Sequence, residues 1–241
     1  MTGNEYAFLC AISAFAGFTQ GVTGFGSVLV ALPLLTLFLS IKIAAPLANI
    51  ISLGVSAYLC ILLRQNLNWR LILPLAFSSL PGIWFGALLL QSMPAAALES
   101  VLGLVLMLLS IHGSFRLRTK EIASGWAYLA GFTSGLLGGS TGAYGPPVIV
   151  YAALQPWDSA TVKSTMVGYF SLASLGILAF HAHAGFINGD IPRLAGLALP
   201  FLGLGAWAGT LLYDRIDAAL YRRGILCLLF LLGMATFMTH L

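Results

Sequence analysis

The chain has 241 residues, of which 59% are hydrophobic and only 7% charged, with a mean hydropathy of +0.97. Ordinary soluble domains carry about 25% charge, so a soluble globule is excluded. The formal net charge of +4 comes with no basic cluster interleaved with aromatics, which excludes a nucleic-acid surface and points to loops beside a membrane.

In chain order, uncharged runs occupy 6–41, 43–63, 71–98, 100–115, 122–157, 164–189, 194–213 and 224–241. Most suit a helix of about 20 residues crossing a hydrocarbon core roughly 30 Å thick. Two do not: 6–41 and 122–157 hold 36 residues each. As straight helix, each would reach roughly 54 Å at about 1.5 Å per residue, so each must bend back or cross twice. Glu5 and the absence of a basic leader argue against a cleavable secretion signal, and the first span is expected to direct insertion.

The first long run contains Ala16-Gly17-Phe18-Thr19-Gln20-Gly21, which returns 114 residues later as Ala130-Gly131-Phe132-Thr133-Ser134-Gly135. At the same spacing Gly24 meets Gly138, Ser27 meets Thr141 and Pro33 meets Pro147. Further on, Trp84 and Gly86 meet Trp207 and Gly209 at a spacing of 123. This predicts one integral membrane domain made of two repeats, 5–115 and 122–241, joined by a basic linker at 116–121.

Loop charge sets the sense of the repeats, because basic residues concentrate in short cytoplasmic loops. If each long run crosses once, the basic residues divide six to five. If each crosses twice, or enters and returns as a hairpin, Arg64, Arg70, Arg116, Arg118, Lys120, Lys163, Arg215, Arg222 and Arg223 share one side, leaving only Lys42 and Arg193 opposite. The second arrangement is expected, with the nine in the cytoplasm, both termini outside and the second half inverted relative to the first. Ten short spans and six spans with two re-entrant hairpins have the same parity. The expected fold is all-α and polytopic: two inverted repeats, each a broken or re-entrant glycine-rich segment followed by three transmembrane helices.

The breaks are the candidate site. In the second run, Gly135-Leu136-Leu137-Gly138-Gly139-Ser140-Thr141-Gly142-Ala143-Tyr144-Gly145-Pro146-Pro147 has little bulk to hold a helix, and two prolines that lack amide donors. Irregular backbone survives at membrane depth only when packed in protein or lining a wet cavity. The first run has its counterpart in Gly21-Val22-Thr23-Gly24-Phe25-Gly26, leading to Pro33.

Those two motifs, set in a duplicated apolar framework with polar connections at Asn66-Leu67-Asn68-Trp69-Arg70 and Gly185-Phe186-Ile187-Asn188-Gly189-Asp190, resemble the TauE/SafE sulfite exporter family of bacterial membrane proteins. The resemblance covers nearly the whole chain in family order. It implies transport of sulfite, organosulfonates or related organic acids across the bacterial inner membrane. Thr23 and Phe25 interrupt the family's commoner run of consecutive glycines.

An anion crossing a membrane must exchange its hydration shell for donors and still leave, which free amides at helix N-termini allow. Short helices are expected at about 28–39 and 148–154, with their N-termini converging near the midplane. Gly24, Gly26, Ser27, Gly139, Ser140, Thr141 and Gly142 are the predicted cavity residues. Thr19, Gln20, Thr23 and Thr133 are second-rank candidates, and Lys163 is a candidate for the cytoplasmic mouth. The competing reading is that these small residues let helices pack closely and that Lys163 snorkels to headgroups. His181 and His183 point about 200° apart on a helix and cannot share a metal there, so interfacial polarity is the expected role, with proton coupling as the alternative. Packing is expected of Tyr144 and Tyr169, with gating as the alternative, and Asn49, Ser52 and Ser56 suit a polar face against another helix as well as a ligand.

Cys10, Cys60 and Cys227 have no ligand spacing. No HExxH, GxSxG or Walker motif occurs, and all seven acids lie near span ends, so the chain is not expected to be an enzyme and no cofactor or metal is expected. The expected partners are a small anion and membrane lipid, with a homo-oligomer left open. An anion channel and a non-transporting subunit of a membrane assembly are the other classes.

Overall fold

In a computed structural model of the chain the described residues are 3–114, 125–187, 189–212 and 218–239. The predicted linker at 116–121 and Arg215 lie outside them, as do the side chains of Arg222 and Arg223. The described residues form ten α-helices and no strand: α1 Gly3–Thr23, α2 Ser27–Leu35, α3 Ile41–Leu62, α4 Trp69–Ser92, α5 Ala95–Ser114, α6 Gly125–Thr141, α7 Gly145–Leu154, α8 Ser159–His183, α9 Ile191–Leu212 and α10 Ala218–Thr239. The protein is thus an all-α polytopic membrane protein. By length and composition α1, α3, α4, α8 and α9 suffice to cross a membrane. Large apolar side chains such as Phe8, Phe77, Leu204 and Trp207 face outward, as lipid contact requires.

Each 36-residue run resolves into a longer helix, a break and a half-helix. The half-helices hold nine and ten residues, about 14 and 15 Å of rise, half the hydrocarbon core. The breaks are tighter than the sequence suggests: α6 stays helical through Thr141 and α7 restarts at Gly145, before both prolines. Gly24 and Gly142 end their helices at φ 81° and 85°, a left-handed backbone that glycine adopts without strain. Proline explains the early restart of α7, because Pro146 and Pro147 fall in its first turn, where the missing N–H costs nothing. The expected short helix at 28–39 is observed over Ser27–Leu35, followed by a turn.

The α1–α2 unit returns on itself. Tyr6, near the start of α1, and Lys42, near the start of α3, line the same cavity. At its other end α1 stops against the beginning of α8, where a Cβ on Gly24 would strike the Lys163 side chain. The end of α6 likewise meets the beginning of α3, with Gly142 against Ala45 and Asn49. The two central helices, α3 and α8, pack on each other, and the half-helices sit against them, α2 on α3 and α7 on α8.

The halves interlock through backbone contacts at glycine. A Cβ on Gly21 of α1 would strike Ala206 O and Thr210 N of α9; on Gly139 of α6 it would strike Ile83 O and Ala87 N of α4. Gly17 meets Leu202 O as Gly135 meets Ser79 O, and the partners answer in kind: Gly205 on Ala14 O, Gly82 on Phe132 O. Both pairs are parallel, since contacts advance together along the two chains. Such close backbone approach is how helices gain packing where lipid offers no hydrophobic drive.

These equivalences revise the repeat. The α4–α9 spacing of 123 read from Trp84 and Trp207 is the one seen, but α1 and α6 correspond at 118, not 114: Gly24 matches Gly142. A four-residue slip is close to one turn of 3.6 residues, so both registers keep the glycines on one face.

Candidate functional site

Both half-helices begin at one small cavity of about 10 Å³, room for roughly one water. Gly26 and Ser27, the N-cap and first residue of α2, line it together with Tyr144 and Gly145, the same two positions of α7. Val28 and Leu29 join from α2, Gln20 from α1, Ser52 from α3 and Phe170 from α8. Every span that packs at the centre contributes.

The two N-termini differ in what they offer. In α2 the first helical bond runs from Val30 N to Gly26 O at 3.1 Å, so the N–H groups of Ser27, Val28 and Leu29 precede the ladder and have no acceptor within it. In α7, Pro146 and Pro147 carry no N–H, leaving Gly145 as the donor of the first three positions. The first break is the amide-rich one.

Side chains complete the lining. Gln20 is buried and its Nε2 donates to Ser56 Oγ at 2.8 Å. Its Oε1 is buried without a hydrogen-bond partner among the described residues. Tyr144 OH lies 2.5 Å from Ser52 Oγ and 2.6 Å from Ser174 Oγ, and its ring meets Phe170 edge-on at 5.3 Å. Ser134 Oγ donates to Tyr144 O and accepts from Tyr169 OH at 2.7 Å. Tyr144 and Tyr169, read from sequence as packing residues, are both buried and also hydrogen-bonded.

Of the predicted residues, Gly26, Ser27 and Gln20 line the cavity. Thr19 stands behind it, its methyl group 3.3 Å from where a Gly26 Cβ would sit and its hydroxyl on Phe15 O. Thr23 folds its hydroxyl onto the break, bonding Thr19 O and Phe25 O. The others are not brought to the cavity. Gly24 packs under Lys163 and Gly142 against Asn49, while Gly139 lies on α4. Ser140 and Thr141 bond back to Leu136 O and Leu137 O of their own helix. Thr133 bonds Leu129 O on a partly exposed face. Lys163 Nζ donates to Gly21 O at 3.4 Å, so it helps satisfy the carbonyl end of α1.

The reason is the length of α6: its last turn absorbs Gly138 to Thr141, which the glycine content had suggested would be unwound. Gly145 and Phe170 were missed, while Ser52 and Tyr144 stood only as alternatives to packing. The available signal was Gly145-Pro146-Pro147, since prolines suit a first helical turn and so mark Tyr144 as the N-cap.

His181 is buried in the last turn of α8, with Nε2 3.0 Å from Gly139 O and its ring against Phe186. It is a core residue rather than an interfacial one. His183 is exposed, so the two do not act together.

The family model for the sulfite exporter TauE/SafE matches residues 9–236. Over 212 residues the chain is 25% identical to a probable sulfite/organosulfonate exporter TauE from Cupriavidus necator, covering 85% of this chain and 82% of that protein. No solved structure matches.

Proposed function

The chain belongs to the TauE/SafE sulfite exporter family, multi-pass proteins of the bacterial cell membrane, and from that premise we propose that it is a secondary transporter of small anions, sulfite or organosulfonates and related organic acids. One observation carries the reading: the N-termini of two half-helices, one from each long run, open on the same buried cavity. An oxyanion held there exchanges water for the amides of Ser27, Val28, Leu29 and Gly145 and for the Ser27 hydroxyl. These are neutral donors, which bind without trapping. At about 10 Å³ the cavity has room for roughly one water, so holding an oxyanion requires the half-helices to part from α3 and α8.

The halves 5–115 and 122–241 act as repeats inserted in opposite senses, with 116–121 as a cytoplasmic linker and both termini outside. The supporting observations are Tyr6 and Lys42 lining one cavity at one end, and Gly24 with Lys163 against Gly142 with Asn49. The basic loop residues Arg64 and Arg70 then face the cytoplasm.

The test is flux of radiolabelled sulfite and ethanesulfonate in proteoliposomes holding the purified chain. Saturable flux that falls at least tenfold in Gln20→Leu and Gly26→Leu, at normal folding, is expected. Flux no greater than protein-free vesicles, or unchanged in both variants, would remove the proposal.

A further inference from the structure

A second cavity, of about 410 Å³, opens at the end of the bundle that carries the start of α1. Tyr6 of α1, Leu39 and Lys42 at the entry to α3, Phe186 of the α8–α9 connection, and Asp190 and Arg193 at the entry to α9 line it. Its volume lies within the range of small-molecule sites. Lys42 and Arg193 both line it, whereas the other described basic side chains, Arg64, Arg70 and Lys163, belong to the opposite end. Among the described residues no ion pair joins Lys42, Arg193 or Asp190 to a partner. The helix entries add little, since Glu99 Oε1 already accepts the Ile41 N–H at 3.0 Å. The charge here is that of the side chains: two cations and one carboxylate in an otherwise aromatic and aliphatic lining.

Resting on the transport reading above, we infer that this cavity is a second anion site, a vestibule that takes small organic acids by their charged head on Lys42 and Arg193 and their apolar stem on Tyr6, Leu39 and Phe186. The ligand class is an alkyl sulfonate or a short-chain carboxylate. A bare inorganic anion gains nothing from the apolar wall and binds here more weakly. Asp190 belongs to the same lining and disfavours a second negative charge, so a monoanion is preferred over a dianion.

The experiment is equilibrium binding of radiolabelled ethanesulfonate to the purified full chain in lipid nanodiscs, at low and high salt. Wild type is expected to show a salt-sensitive class of sites. In Lys42→Gln/Arg193→Gln its affinity falls at least tenfold; Lys42→Arg/Arg193→Lys keeps it, and Gly26→Leu in the central cavity leaves it in place. Binding unchanged in the double glutamine variant, or no salt-sensitive binding in wild type, overturns the inference. Vestibule binding by a chain that moves no anion in proteoliposomes would support the vestibule and sink the transport reading. Transport whose KM and salt dependence are indifferent to both charges would do the reverse.

Discussion

The phenol oxygen of Tyr144 on α7 lies 2.5 Å from Ser52 Oγ on α3, joining residues 92 apart in the chain. On its other side Ser174 of α8 is 2.6 Å away. One hydroxyl therefore fastens a half-helix to both central spans. Tyr144→Phe leaves two buried serines short of a partner and is expected to lower the thermal midpoint in detergent, by about 1–3 kcal/mol of stability. Ser52→Ala should cost less, because Tyr144 keeps Ser174. Equal midpoints for all three proteins would contradict this.

Gly21 and Gly139 occupy matching places against carbonyl oxygens of a parallel neighbour. Alanine at either is expected to destabilise by a similar amount, about 1–3 kcal/mol, since backbone cannot yield as a side chain can. Gly203, with open space around it, is the control: alanine there should be neutral or stabilising by up to about 1 kcal/mol. Chemical unfolding of the three variants checks it, and a Gly203→Ala loss as large as the others would refute the packing account.

His181 holds the carbonyl of Gly139. A carbonyl only accepts, so Nε2 carries the hydrogen and the buried Nδ1 is the bare nitrogen. His181→Leu removes the donor and is expected to cost about 1–3 kcal/mol, whereas His181→Gln restores it in part. If leucine is tolerated as well as glutamine, the bond is not structural.

Asp158 caps α8 outside the membrane, its Oδ1 accepting the Thr161 N–H at 2.7 Å. Hydrogen bonds from the Thr161 side chain and backbone hold this carboxyl below the usual carboxylate range. A lowered folded-state value stabilises above the unfolded value, and that stability is lost as pH falls through the folded one. Asp158→Ala should thus lower the melting midpoint at neutral pH, with the gap closing on acidification through the carboxylate range. A gap independent of pH would place its effect elsewhere.

Much of this was legible in the sequence. Two uncharged runs too long for one span required a return, and the first returns far enough for Lys42 to line the same cavity as Tyr6. Residue spacing was less readable. Gly17 and Gly21 recur every four residues as Gly131, Gly135 and Gly139, so a pattern match cannot tell adjacent helical turns apart. For the same reason, glycine richness at 138–142 read as unwinding when the segment is helical through Thr141, cut away at Gly139 for α4 and at Gly138 for α8. Small residues mark both ligands and close neighbours, and only the neighbour's position separates them. Tyr144 stayed hidden because its partners Ser52 and Ser174 lie on distant helices.

The parallel pairing of α1 with α9 and of α4 with α6 bears on how the protein is made. Helix α1 finds its intimate neighbour only once Leu202, 185 residues after Gly17, has been translated, so until then its glycine face must rest against lipid or a helper. Assembly therefore locks an early segment to a late one, and a chain terminated before α9 would leave that face unmatched.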